Sequence, residues 1–489
     1  ALAEAGTFAS APKPFDPMEK AFHSLAPLPQ GVVLKHSYPL TPDLLAMTQV
    51  WQRDGQLVAF AKGAPEAIAR LCGLPETALQ AQVDVMAAEG LRVLAVAEAG
   101  VVGALPAAQT DLAFRLVGLV GLADPLRAAV PQAVATCKAA GIRVIMITGD
   151  HPTTAQAIAR AAGLGQGGVI TGDQLAQLDD AALQDALRDT HVFARIMPEQ
   201  KLRLVQALKS AGAIVAMTGD GVNDAPSLKA AHIGVAMGGR GTDVAREAAS
   251  IVLLDDDFGS IVTTITLGRR IYDNLRKAMS FILAVHVPIA GLALLPLFLG
   301  TPILFGPVHI AFLEMIIDPV CALVFEAERD EDGLMARPPR PVSEPLFSAP
   351  TIIWSVLQGL IAFAAVAALY LLAPRYGMDI AQTRTLTFTA LVISIVALIL
   401  VNRVRTASVL VALSRRNRAL GYVLVAVTLM LAVVVFVPQA RALFGFALPP
   451  GYWLGLPFVA GAATLILLEA IKPIWVWVMR RRRARQVQT

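Results

Sequence analysis

Six long apolar runs fill the second half of this 489-residue chain, and nothing else in the sequence constrains the fold as strongly. A helix that crosses the hydrocarbon core of a bilayer needs about 20 apolar residues. Runs of that kind fall at 278–299, 303–325, 350–373, 384–402, 418–437 and 452–479. The second and fourth are the least uniform, because Glu314 and Asp318 interrupt one and threonines thin the other. Arginines test the count, since loops rich in them stay on the cytoplasmic side. Loop 326–349 carries Arg329, Arg337 and Arg340, and loop 403–417 carries Arg403, Arg405, Arg415 and Arg416. The end of the chain carries Arg480 to Arg483 and Arg485, whereas the alternate loops hold only Arg375, Arg384 and Arg441. Six spans of a cell membrane are therefore expected, with the first part, both arginine-rich loops and the C-terminus in the cytoplasm. Trp453, Trp475 and Trp477 suit interfacial positions.

Composition agrees. Hydrophobic residues make up 56% and charged residues 16%, against roughly 45–50% and 25% in soluble domains. This excludes a purely soluble enzyme, a disordered chain and a fibre. The net charge of +4 is concentrated beside the last apolar run, a placement that fits a membrane surface rather than nucleic acid. Cys72, Cys137 and Cys321 are far apart and form no CxxC, so neither a disulfide framework nor a zinc site is expected.

Residues 1–275 hold most of the acids and turn signals of a globular protein. Over 111–275, short β-branched runs alternate with helical stretches: 143–148, 213–218, 233–237 and 250–254 read as strands. Such alternation predicts a parallel sheet with covering helices, whose chemistry sits at the carboxyl ends of the strands. Residues 1–110 read as a separate α+β piece with strands at 57–62 and 92–98. Residues 276–489 form the six-helix membrane domain.

Two of the predicted strands end in Thr-Gly-Asp: Thr148-Gly149-Asp150 and Thr218-Gly219-Asp220. The second continues Gly221-Val222-Asn223-Asp224-Ala225-Pro226, placing two carboxylates four positions apart in a tight turn. A lone Gly-Asp would read as an acidic helix cap. This nine-residue string instead offers hard oxygen ligands for Mg²⁺, which binds through one or two carboxylates plus phosphate oxygens. Asp220 is the expected ligand, with Asp224 supporting it and Asn223 orienting phosphate or water. Lys201 offers a point charge against phosphate oxygens, and Thr148 a hydroxyl donor. There is no GxxxxGK[ST] loop, the glycines at 163–168 follow a helix rather than a strand, and His151, His191 and His232 lack metal spacing.

The string from Thr218 to Pro226 resembles the signature of the P-type ATPases, in the haloacid-dehalogenase-like superfamily. Further elements follow in family order: Asp16-Pro17-Met18-Glu19, Lys62-Gly63-Ala64-Pro65-Glu66, Asp124-Pro125-Leu126-Arg127, Thr148-Gly149-Asp150 and Pro198-Glu199-Gln200-Lys201. The resemblance implies a Rossmann-like phosphorylation domain, a partial nucleotide-binding domain and transport of a cation driven by Mg-ATP through an aspartyl-phosphate. It implies ATP contacts at Glu19, Lys62, Gly63 and Arg92, and catalytic roles for Thr148, Gly149, Asp150, Lys201 and Asn223.

The sequence also departs from that family. No DKTG, which would carry the phosphorylated aspartate, occurs in residues 1–489. The TGE loop of the actuator domain is absent too. The chain is thus expected to be the C-terminal part of such a pump, inactive alone, with the N-terminal part as its partner. The segment from Tyr38 to Met47 lacks the Phe and basic pair of many relatives. Tyr38 is open to two readings, adenine stacking or core packing.

Ionisable residues inside a span are functional candidates by default. Glu314 and Asp318 lie four apart, on one helical face, and Pro319 removes a backbone donor beside them. The resemblance implies cation ligands in this stretch, and His286 lies in the span before it. Six spans after the catalytic region exclude the heavy-metal branch, and the carboxylate pair argues against lipid flipping. Ca²⁺ is the first choice, with Mn²⁺, H⁺ and Na⁺/K⁺ open. The competing reading is a naturally truncated, non-catalytic membrane protein that binds nucleotide or cation and regulates a full-length relative. A phosphatase fused to an anchor would need a nucleophilic aspartate in a DxDx motif at a first strand end, and none is read there.

Overall fold

The computed structural model describes residues 1–486 except 15, 42, 54, 76, 124, 166, 342, 343, 405–407 and 415. Asp124, Arg405 and Arg415 lie outside the described residues, as do the side chains of Cys321, Arg480, Arg482, Arg483 and Arg485. The chain divides into two units, Ala1–Val262 and Thr263–Thr489. The division falls inside the long helix Phe258–Leu299, ahead of the expected 275/276 boundary.

The first unit opens with a five-stranded antiparallel sheet ordered β1 (Val33–Tyr38), β2 (Ala46–Arg53), β3 (Gln56–Gly63), β4 (Arg92–Val101) and β5 (Arg115–Leu122). Strand β5 pairs with β4 from Arg92↔Leu122 onward, so this sheet runs past the expected division at 110/111. The period of two along each strand splits the buried residues between two faces. Val50, Ala59 and Ala61 pack with Ile68 on one face. Trp51, Phe60 and Val96 pack on the other against Phe8 and Phe22, which come from helices α1 (Leu2–Phe8) and α2 (Pro17–Leu25). Helix α2 starts where Asp16 accepts a hydrogen bond from Met18 N at 2.7 Å and Pro17 takes the first helical position, a position that suits proline's fixed φ.

The remainder of this unit is parallel β with helices, as the alternation predicts, but it forms two small sheets rather than one. Strands β6 (Met146–Ile147), β7 (Val169–Thr171) and β8 (Val192–Ala194) are ordered β6-β8-β7. Strands β9 (Ala216–Gly219), β10 (Ile233–Met237) and β11 (Ile251–Leu253) are ordered β11-β10-β9. Among the described residues β6 pairs only with β8, and β9 only with β10. Parallel strands are normally buried on both faces, yet residues 144–147 are only half-buried and Ile214, before β9, is 57% exposed. Two helices matter for the site: α3 (Pro152–Ala161) and α4 (Pro198–Ser210). Helix α4 roofs both sheets, with Leu204 in the core of the first and Val205 in the core of the second.

The second unit contains six helices long and apolar enough to cross a membrane: Phe258–Leu299, Pro307–Phe325, Ala349–Tyr376, Ile380–Arg403, Arg418–Phe436 and Gly451–Val478. The threonine-thinned fourth span is the central one, with 78% of its apolar window buried, against 28–50% for the others. Its threonines are compatible with that place because Thr383, Thr385 and Thr387 return their hydroxyls to the carbonyls of Asp379, Ala381 and Thr383 at 2.7–2.9 Å. Those three hydroxyls are thereby satisfied away from water, whereas Ser394 Oγ on the same span is buried without a partner among the described residues. Gln358 and Asn402 likewise answer each other across the bundle.

Arg403, expected in a cytoplasmic loop, ends the fourth span and is 1% exposed. Its guanidinium grips Glu328 through two hydrogen bonds of 2.9 and 3.1 Å, and Asn417 donates to the same carboxylate at 3.1 Å. Removing one member of a buried pair strands the other charge. Arg403→Met should therefore cost about 3–5 kcal/mol. Adding Glu328→Gln should recover much of that loss in thermal unfolding of the detergent-solubilised chain.

Candidate phosphate and cation sites

The carboxyl ends of β6 and β9 carry the turns Thr148-Gly149-Asp150 and Thr218-Gly219-Asp220, while a third Thr-Gly-Asp, at 171–173, follows β7 and opens a helix capped by Thr171. After β9, residues Val222–Asp224 form a single 3₁₀ turn that folds Asp224 back onto its own loop. Asp224 is 7% exposed, and its two oxygens are both held: Oδ1 accepts from Lys201 Nζ at 2.7 Å and Oδ2 from Gly221 N at 3.3 Å. Gly219 is required by this fold-back, since a Cβ there would stand 2.6 Å from that of Asp224. Asp220 is exposed and, among the described residues, makes no side-chain hydrogen bond or ion pair. Asn223 is exposed beside it.

After β6, Thr148 Oγ1 donates to Asp150 Oδ2 at 2.9 Å and accepts from Asp150 N at 3.1 Å. The carbonyl of Thr148 accepts from Ile196 N at 3.1 Å. That bond ties the turn to the segment leading into α4, where Lys201 sits. Gly149 has open space around the position a Cβ would take, room that a phosphate oxygen could use. The structure thus brings Lys201 to Asp224, and Thr148 to Asp150, around the ends of two neighbouring sheets.

The residue types fit Mg²⁺. Among the described residues no three His, Cys, Asp or Glu side chains stand together as a metal cage. Mg²⁺ does not require one, since it takes one or two carboxylates and fills its shell from water and phosphate. Asp220 supplies unoccupied oxygens, whereas Asp224 is already committed to Lys201 and to the loop. Asp220 is therefore the better ligand and Asp224 the better anchor.

The expected ATP contacts are arranged differently from one another. Lys62 and Glu19 meet directly, Nζ to Oε1 at 2.7 Å, and Lys62 also reaches Ser10 Oγ at 2.7 Å. Both are nearly sealed, at 6% and 8% exposure. Burial lowers the Lys62 pKa, and the Glu19 carboxylate opposes that shift. Gly63 is dictated by packing, because a Cβ would stand 2.6 Å from Ala46 Cα on β2. Arg92 lies 3.5 Å from Asp150 and is half exposed, a pairing weak enough to exchange for another anion. Tyr38 packs in the core with its hydroxyl donating to Pro106 O at 2.7 Å, which settles its two readings in favour of packing.

Of two further residues at this site, Arg195 was not singled out from the sequence and His151 was read only as lacking metal spacing. Arg195 holds φ of +54°, uncommon outside glycine, and from there its guanidinium reaches Glu66 at 2.7 Å. No residue preference marks an arginine for that conformation. His151 caps α3 by accepting from Thr153 N at 3.4 Å.

In the second unit the span Pro307–Phe325 changes from α to π winding after Pro319, over Val320–Phe325. Proline lacks the N–H that would continue the α pattern, and π turns gather at functional places. His286 Nδ1 lies 2.8 Å from Ile282 O, and a carbonyl only accepts, so Nδ1 carries a proton. His286 Nε2 then faces Glu314 Oε1 at 4.0 Å. Both side chains are about half exposed, and Asp318 is exposed as well.

The cap at His151 carries a pH prediction. Burial, and next the Arg195 guanidinium, hold its pKa below the ordinary 6.5. The unfolded chain therefore takes up protons first as pH falls through 6.5, and the stability contributed by the neutral ring is lost on acidification. His191 is lowered in the same sense, mainly by burial. The protection factors of the amides at the start of α3, taken against intrinsic exchange at each pH, should fall from pH 7.5 to 5.5. In His151→Asn, which keeps a capping oxygen, the change should be smaller.

Comparison with known proteins bears on both units. Residues 57–232 match the family model of haloacid dehalogenase-like hydrolases, and residues 302–474 match that of the C-terminus of cation transporting ATPases. The chain is 36% identical over 394 residues to a calcium-transporting ATPase of Bacillus subtilis, a match covering 79% of this chain and 44% of the relative. It is 34% identical over 466 residues to calcium-transporting ATPase 1 of Lactococcus lactis, covering 89% and 51%. It is 38% identical over 375 residues to the cation-transporting ATPase pma1 of Synechocystis, covering 73% and 41%. The chain spans about two-fifths to half the length of these relatives. With parallel sheets ending in paired Thr-Gly-Asp turns, six membrane-length helices and these matches, the chain is a multi-pass membrane protein and belongs to the cation-transporting P-type ATPase family.

Proposed function

We propose that the chain forms the phosphate-handling and ion-binding portion of a pump that couples Mg-ATP hydrolysis to movement of a cation, Ca²⁺ first among the candidates. The observation that carries this is the Lys201–Asp224 pair standing beside Asp220, whose carboxylate is unpartnered among the described residues. Lysine draws in phosphate oxygens, and Asp224 holds the lysine at 2.7 Å so that its charge is delivered at the strand ends. Thr148 and Asn223 supply neutral hydrogen-bond groups, and Asp150 orients Thr148. Mg²⁺ held by Asp220 would add charge neutralisation, which dominates phosphoryl transfer. ATP is read as approaching from the antiparallel sheet, where Lys62, Glu19, Gly63 and Arg92 lie.

The reading puts the phosphorylated aspartate on a strand from the remaining part of the pump, paired with the open edges of β6 and β9. This would account for the half-buried Met146 and Ile147 of β6 and for the exposed Ile214 just before β9. For the cation, His286 Nε2 and Glu314 offer one nitrogen and two oxygens, with Asp318 one turn on. Ionised groups exposed at mid-span are costly against lipid, so this face is read as covered by further helices of the pump. A second reading is a non-catalytic binder of nucleotide or cation.

Two experiments test the proposal. Asp220→Asn should weaken Mg²⁺-dependent binding of a phosphate analogue by about tenfold or more, the scale on which metal-site residues contribute. Unchanged Mg²⁺ affinity removes the assignment. In the complete pump, Glu314→Gln and Asp318→Asn should each abolish cation-stimulated phosphorylation, while persistence of that stimulation would place the ion elsewhere. Acyl-phosphate on a complete pump separates the first reading from the non-catalytic one.

A further inference from the structure

A cleft of about 320 Å³ opens where the second and fifth spans reach the cytoplasmic side, lined by Ala327, Arg329, Arg416, Asn417, Arg418 and Ala419. Three arginines therefore line one cavity. Among the described residues none of the three has an acidic partner. The nearby carboxylates do not neutralise them: Glu328 is held by Arg403 and Asn417, Asp330 lies against Arg270, and Glu326 is not part of the lining. The floor is built rather than incidental. Asn417 caps the fifth span through Leu420 N at 3.1 Å and donates to Val324 O at 2.9 Å, locking that helix start to the end of the second span.

Below the cleft, the fifth span presents Tyr422, Val425, Leu429 and Val433, all exposed, at spacings of three, four and four from one another. That spacing keeps them on the helical face that begins at Arg418. A basic pocket thus continues into an apolar track of membrane length. Phosphate fits a fork of arginines bidentately, and basic pockets between membrane helices on the cytoplasmic side suit anionic headgroups. We propose that this cleft binds the phosphate headgroup of an anionic phospholipid of the cytoplasmic leaflet, with an acyl chain lying along the track. A free phosphate would satisfy the arginines but would leave the apolar track without a role.

The test uses the full chain in detergent, offered an equimolar mixture of phosphatidylglycerol and phosphatidylcholine, with retained lipid read by native mass spectrometry. Phosphatidylglycerol should be retained preferentially, and each arginine removed among Arg329→Gln, Arg416→Gln and Arg418→Gln should lower the preference about fivefold. The triple lysine variant should keep most of it, which separates charge from folding. Leu429→Asn should weaken retention of the lipid without altering the charge preference of a short-chain analogue. Equal retention of the two lipids, or indifference to the arginines, overturns the proposal. Displacement of the lipid by millimolar inorganic phosphate would show a free-anion site instead and overturn it equally.

Discussion

The pair between Lys201 and Asp224 holds together what would otherwise be two separate sheets. Lys201 belongs to the helix after β8, and Asp224 to the turn after β9, so a single 2.7 Å contact joins the functional ends of both. The same helix buries Leu204 and Val205 in the two cores. Apolar packing sets how closely the sheets approach, and the charged pair sets the arrangement of their loops. Asp224 is nearly buried, so losing the lysine would strand a carboxylate. Positioning and stability therefore rest on the same atoms. Asp220, four residues away, is kept free of such commitments and retains its oxygens.

The membrane unit follows the complementary rule. Inside an apolar solvent every polar group must find a partner within the protein. The central span meets it with threonine hydroxyls turned onto its own backbone, and the amides of Gln358 and Asn402 meet it with each other. Arg403, Glu328 and Asn417 meet it as a buried cluster. Against this background, two places stand out because charged or ionisable side chains gather there at the surface of the unit. One is the face with His286, Glu314 and Asp318, and the other is the arginine cleft. Each has the chemistry to receive something from outside the chain, a cation in the first and a phosphate in the second.

Much of this was legible in the residues. The run 233–237 was read as the strand that forms at Ile233–Met237. The six spans were readable because apolar length is a property of sequence alone. Legibility failed where pairing is long-range. The run 143–148 has strand chemistry throughout, yet only Met146–Ile147 is laddered, because β6 has a partner on one side only. The edge at 110/111 was misplaced because nothing local distinguishes a strand that joins an antiparallel sheet from one that begins a parallel one. Arg403 looked like a loop cation, and only its encounter with Glu328 draws it inside.

The residues alone determined which segments are apolar enough to span a membrane, which strands end in acidic turns, and which groups have the chemistry for magnesium and phosphate. Periodicity, hydropathy and side-chain chemistry act over a few neighbouring positions, so they survive being read in one dimension. The tertiary structure decided which of those groups remain free: Asp220 but not Asp224, and Arg329, Arg416 and Arg418 but not Arg403. That choice depends on which distant residue arrives to neutralise a charge, and such encounters are set by packing between segments that the linear order does not bring together.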